Sequence, residues 1–223
     1  MAMAALEHLS GEALRREQER TLASPRLHYS LLARALFRGM DLVYGRPRTL
    51  SKFKVLELIA RVPYQAWEQV AYVAMTHTSR APGFARRIFD RVRESRLQQD
   101  NEQWHLLILE DLIAQRELRE GFVKFWLLPQ LAAFVYYQIV WLLYVARPAR
   151  AYLLNAEFED HAEHEYMEFV RDHPELAREP FESVVTEDYG RFESLADVFR
   201  QIGYDERVHK EESLAWMTHP RFA

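Results

Sequence analysis

Cysteine is absent from the 223 residues. That excludes a disulfide scaffold, a thiolate-held zinc or iron–sulfur site, a thiol nucleophile and thiol-based regulation within this chain. Glycine and proline are scarce, seven and nine respectively, too few for the many turns of an all-β protein of this length. A net charge of −4 gives no excess of positive charge for nucleic acid to meet, so no nucleic-acid partner is expected. Residues 1–25 have no long apolar core after the first six positions, so no signal peptide is expected. They read as a polar N-terminal arm ahead of a single domain over 26–223.

What is present is core material and helix formers. Hydrophobic residues make up 49% and aromatics 13%, enough for a folded domain and against disorder. Six helical segments follow from apolar periodicity and breakers, with no convincing strand. They are 26–44, 50–78 with a bend at Pro63, 82–119, 121–146, 149–172 and 192–217. The fold class is all-α.

Charge is segregated along the chain. Arg26–Arg61 carries eight Lys/Arg against two acids, and Asn155–Asp188 carries twelve acids against two Arg. The basic stretch suggests an anionic membrane surface as partner; on charge alone, solvated helix faces are the leading alternative. The most apolar run, Leu131–Ala146, falls short of the roughly 20 residues a bilayer span needs. Trp126, Tyr136, Tyr137, Trp141 and Tyr144 are side chains that favour the headgroup boundary, so an interfacial helix fits better than a span. An interior helix of a soluble bundle is the alternative.

Two Glu-x-x-His pairs carry the chemistry: Glu102/His105 in NEQWH and Glu206/His209 in DERVH. Spacing i, i+3 puts carboxylate and imidazole on one helix face, where they can share an ion. From the Glu and His content about one such pair is expected by chance, so placement has to decide. Each pair lies within a predicted helix, and each is preceded by another helix with a lone carboxylate, Glu57 or Glu159. Two Glu-x-x-His helices and two Glu helices are the pattern of ferritin-like bundles that hold a metal pair. Oxygen and nitrogen donors of this kind suit iron. Glu68, about three turns from Glu57, competes with it, and spacing alone leaves the choice open.

These blocks resemble the alternative oxidase family, in the branch that includes plastid terminal oxidases. VLELIARVPY is similar to the family's first glutamate block, NEQWHLLILEDL to its Asn-Glu-x-x-His-Leu block, FEDHAEHEYMEF to its third block and DVFRQIGYDERVH to its closing Asp-Glu-x-x-His block. The resemblance covers about residues 28–216. It implies a ferritin-like four-helix bundle with two further helices, about 26–44 and 121–146, forming a membrane-facing surface. It also implies two irons on Glu57, Glu102, His105, Glu159, Glu206 and His209, with Asn101 and Asp205 as supporting partners. Tyr166 matches the family's redox-active tyrosine. Spacing agrees independently, since Tyr166 lies two turns after Glu159 on the same face. Arg38, Asp41, Lys52 and Leu56 fall near the family's quinone pocket.

By the same resemblance the activity is that of a quinol oxidase. It reduces dioxygen to water, without proton pumping and insensitive to cyanide, in a homodimer held in one leaflet. The expected place is the cytoplasmic face of a bacterial inner membrane. Three departures stand out: Leu58 replaces the usual Thr, Glu163 lies one turn after Glu159, and Glu165 precedes Tyr166. Leu58 and Glu163, the latter as an added ligand or pocket base, motivate the alternative of a diiron oxygenase acting on an organic metabolite. His161 and His164 point about 200° and 140° away from Glu159 around the helix and are not expected to be ligands.

Overall fold

Side chains and breakers set where each helix begins and ends. A computed structural model describes residues 8–78 and 80–219, and among them there is no strand. Helix α1 (Gly11–Ala23) is followed by α2 (Leu31–Tyr44), α3 (Leu50–Ala60), α4 (Val62–Thr76) and α5 (Pro82–Gln115). A π-helical turn, Val123–Leu127, leads into α6 (Leu128–Ala146), and α7 (Pro148–Asp172) follows at once. A 3-10 turn (Pro174–Arg178) and the short α8 (Thr186–Tyr189) connect to α9 (Leu195–Thr218). Ser30, Thr49 and Ser194 cap α2, α3 and α9 by accepting from the amides of Ala33, Lys52 and Asp197 at 3.2–3.3 Å. Each cap satisfies an amide that the first turn leaves without a helical partner. Gly45 ends α2 at φ 89°, in the left-handed region that favours glycine.

The expected helix over 50–78 is two, α3 and α4. Pro63 lacks the amide that would continue the ladder, and the chain turns at Arg61. The first predicted helix starts five residues late, at Leu31 rather than 26. The reason is that α7 captures the preceding amides. Leu27 N donates to Asp160 Oδ2 at 2.9 Å and Ser30 N to Glu157 Oε1 at 2.6 Å, which keeps 26–30 out of the helix.

Helices α3 and α4 pack along α5, and α7 packs along α9 in the most extensive pairing of the molecule. These two layers form the four-helix bundle. Apolar residues from α3, α4, α5, α7 and α9 fill its interior continuously, from Leu56 and Ile108 to Phe158 and Phe199. Helix α6 lies across α3, α4 and α7, while α2 rests on α7.

Residues 11–23, expected as part of a polar arm, form α1 and lie against α9 and α7; residues 1–7 of that arm fall outside the described residues. Polar anchors hold α1 down. Gln18 Nε2 donates to the Met167 carbonyl at 2.9 Å, and Arg200 Nε donates to Gln18 Oε1 at 2.8 Å.

Helix α6 is not an interior helix. Tyr136, Val140 and Tyr144 form its buried stripe, while Leu131, Phe134, Val135, Ile139 and Leu142 are exposed. Phe134 is 65% exposed and Leu42, on α2, 88%. By length and composition, Val123–Ala146 is the one helical stretch among the described residues apolar enough to cross a membrane.

Candidate metal centre

Six side chains expected to act together converge between the two layers. Glu57 comes from α3, Glu102 and His105 from α5, Glu159 from α7, and Glu206 and His209 from α9; all six are fully buried. They make two overlapping groups of donors, Glu57/Glu102/His105/Glu206 and Glu102/Glu159/Glu206/His209, in each of which the donor atoms lie within 4.8 Å of one another. His105 Nδ1 is 3.3 Å from Glu57 Oε2 and 3.2 Å from Glu206 Oε1. His209 Nδ1 is 2.7 Å from Glu102 Oε1.

The donor set fits a pair of divalent cations. Neither oxygen of Glu102 or Glu206, nor either ring nitrogen of His209, makes a hydrogen bond. Buried polar atoms left this way are costly without a partner. Four carboxylates carry the charge that two divalent ions neutralise. Burial first, and then the charge of neighbouring glutamates, raises Glu102, Glu159 and Glu206 well above the usual carboxylate range. Burial lowers His209. For His105 burial acts the same way but is outweighed by Asp205, Glu206 and Glu57, which raise it.

A polar layer orients these groups. His105 Nε2 lies 3.2 Å from Asp205 Oδ2, which turns Nδ1 toward the cluster. Asp205 in turn accepts from Asn101 Nδ2 at 3.2 Å, Tyr189 OH at 2.8 Å and Gln201 Nε2 at 2.7 Å. Tyr166 OH donates to Glu57 Oε1, and its ring stacks on Phe53 at 4.3 Å. On the other side Tyr64 OH donates to Glu159 Oε1 at 2.7 Å, and Asn155 Nδ2 donates to the same oxygen at 3.0 Å. Sequence reasoning missed Tyr64, Asn155, Tyr189 and Gln201. Only Tyr64 left a signal, standing seven residues after Glu57 as Tyr166 stands seven after Glu159.

The ambiguous residues take definite places. Glu68 pairs with Arg96 at 2.8 Å away from the cluster. Glu163 turns away from the cluster, toward α9 and α1. It accepts from Arg207 Nε at 2.9 Å, Thr21 Oγ1 at 2.6 Å and Lys210. Burial would raise its pKa, but Lys210, Thr21 and Arg207 outweigh burial and hold it below the usual value. Glu163 is therefore not an added ligand, and the oxygenase alternative loses that support. Asp160, Glu163 and His164 are close enough to share an ion, but Lys210 already bridges the two carboxylates. Glu165 is bound by Arg26 and Arg48.

His161 stacks on Phe37 at 4.0 Å, 3.0 Å from Arg26 Nη1, and burial brings its pKa down to about 4. His164 Nδ1 lies 2.8 Å from the Asp160 carbonyl. Neither reaches the cluster. Lys52 and Leu56 are buried one turn apart on α3. Lys52 Nζ bonds Asp41 Oδ1 at 2.7 Å, and Arg38 is exposed on α2.

A model of the alternative oxidase family matches residues 16–215. Ubiquinol oxidase 4, chloroplastic/chromoplastic, of Arabidopsis thaliana is 32% identical over 140 residues, which are 63% of this chain. The match spans 36% of that relative's length. With the family match covering most of the residues and the Glu/His cluster at the bundle's centre, the chain belongs to the alternative oxidase family.

Proposed function

We propose that the protein is a non-haem diiron quinol oxidase, which takes electrons from a membrane quinol and reduces dioxygen to water. The observation that carries the reading is the set of four carboxylates and two imidazoles, all fully buried, with Glu102, Glu206, His209 and Oε2 of Glu159 lacking hydrogen-bond partners. Glu57, Glu102, His105, Glu159, Glu206 and His209 would hold the two irons. When bound there, iron supplies one-electron chemistry and a site for dioxygen that side chains lack.

The chain's own residues do the rest. Glu102 and Glu206, with both oxygens free of hydrogen bonds, would each offer two donor atoms to the metal pair. Glu57 and Glu159 each give one oxygen to a tyrosine and would offer the other to the metals. Asp205 fixes the ring of His105, and Asn101, Tyr189 and Gln201 fix Asp205. Tyr166 places a phenol one hydrogen bond from Glu57, where it can give an electron and pass its proton to the carboxylate.

Arg38, Asp41, Lys52 and Leu56 form the quinol's approach between α2 and α3, with the Lys52 ammonium able to donate to a quinone oxygen. The exposed apolar sides of α2 and α6 seat the protein in one leaflet, and a homodimer follows the family. As the family resemblance implies, no proton is pumped. The same resemblance implies that oxygen reduction is insensitive to cyanide.

The test is oxygen uptake by iron-loaded, detergent-solubilised protein given a short-chain quinol with cyanide present. Uptake of one dioxygen per two quinols is expected. Bound iron with no quinol turnover, or oxygen appearing in an organic product, overturns the reading.

A further inference from the structure

We propose that Tyr64 is a second electron-donating tyrosine, the counterpart of Tyr166 across the metal centre, and that the two phenols with one quinol hold the four electrons dioxygen needs. This inference rests on the quinol-oxidase reading above.

The site has an internal symmetry that points to it. Each lone glutamate is followed seven residues later by a tyrosine, Glu57 by Tyr64 and Glu159 by Tyr166. The hydrogen bonds cross over: Tyr166 OH donates to Glu57 Oε1, and Tyr64 OH to Glu159 Oε1 at 2.7 Å. In both cases Oε1 faces the phenol. Oε2 of Glu57 faces His105, and Oε2 of Glu159 has no hydrogen bond. Each phenol is thus one carboxylate away from a metal position.

Both rings are fully buried, which shields a phenoxyl radical from reductants in solvent. The Tyr64 ring also stands edge-on to His209, 5.8 Å between centroids. Asn155 Nδ2 donates to the Tyr64 oxygen at 3.0 Å, so that oxygen keeps a hydrogen bond after its own hydrogen has gone. A tyrosine that served only to position Glu159 would need neither the matched spacing nor this second donor.

The balance closes. One quinol provides two electrons and two protons and becomes quinone. Tyr166 and Tyr64 each provide one electron, and each passes its proton to Oε1 of its glutamate and on to the forming water. Dioxygen then becomes two waters, leaving two neutral phenoxyl groups. A second quinol returns one hydrogen atom to each and restores both tyrosines. Cleavage of the oxygen–oxygen bond therefore need not wait for the second quinol.

The experiment is rapid-freeze electron paramagnetic resonance on iron-loaded protein reduced with one equivalent of short-chain quinol per centre and mixed with dioxygen. Iron content is measured for every sample. Two tyrosyl spins per centre are expected in the unaltered chain, one in Tyr166→Phe, one in Tyr64→Phe and none in the double variant. Incorporating 3-fluorotyrosine at position 64 keeps the phenol, covers a misfolded Tyr64→Phe, and adds fluorine splitting to the signal that survives in Tyr166→Phe. Absence of that splitting, or of any signal in iron-replete Tyr166→Phe, overturns the role of Tyr64. Oxygen and quinol consumption with a Tyr166 signal alone overturns this inference but leaves the oxidase reading standing. Bound iron with neither radical nor quinol consumption overturns both.

Discussion

Replacing Arg207 with Met tests how the N-terminal helix and the two halves of the α7–α9 pair are tied together. The guanidinium donates to Glu163 Oε1 at 2.9 Å, the Glu17 carbonyl at 3.0 Å, the Glu17 carboxylate and Thr21 Oγ1. Its side chain is 6% exposed and that of Glu163 1%. Removing one partner of a buried ion pair costs about 3–5 kcal/mol, because the other charge stays buried. Lys210 still contacts Glu163, so the lower end applies, about 3 kcal/mol. For a chain of this size that lowers Tm by about 6–12 °C.

The assay is thermal unfolding followed by circular dichroism at neutral pH, with iron loaded and with iron removed. Glu163→Gln in the same chain removes the stranded charge and restores at least ~1 kcal/mol of the loss. A drop of less than ~3 °C, or a double variant no more stable than Arg207→Met, refutes the argument.

Three further outcomes follow from the same geometry. Asp205→Asn weakens the orientation of His105 and lowers iron affinity by about 10- to 100-fold, measured by competition with a chelator. Burial raises Glu102, Glu159 and Glu206 in the folded chain. From about pH 4 upward the iron-free folded state therefore binds more protons than the unfolded state. Its stability falls as pH rises, so Tm of chelated protein declines from pH 5 to 8, while iron-loaded protein, whose carboxylates are already ionised, lacks that decline. Phe134→Glu with Leu142→Glu, at positions 65% and 62% exposed on α6, removes about 3 kcal/mol of apolar transfer. Binding to anionic lipid vesicles, read by co-sedimentation, weakens by about a hundredfold or more.

The bundle and its cluster were legible because their signals are local. A Glu-x-x-His pair sits on one helix face by helical geometry alone, and four stations at 57, 102, 159 and 206 each fall within one helix. The residues that support the cluster were not legible, because they act between helices. Tyr189 reaches Asp205 from a short connector, and Asn155 joins Tyr64, Glu159 and Ser213 from three different helices. Helix α1 escaped notice for a related reason. Its sequence, GEALRREQERTLA, has no broad apolar stripe, and what secures it is Arg207 and Arg200, some 180 residues away. Glu163 shows the limit most plainly. One turn from Glu159 it invites a ligand role, and only the cations on α9 decide that its carboxylate is held away from the cluster.

For the leaflet-seated quinol oxidase proposed above, the one-sided apolar shelf of α2 and α6 has a kinetic consequence. A protein seated in a leaflet searches for a lipid-soluble substrate in two dimensions, so the encounter rate follows the number of quinol molecules per area of membrane and not their amount per volume of suspension. Diluting the bilayer with inert lipid at constant total quinol then slows turnover, whereas diluting the suspension with buffer leaves turnover per protein unchanged. Turnover of the proposed oxidase is then set by how crowded the membrane is with quinol, which lets the lipid composition of the membrane act as a throttle.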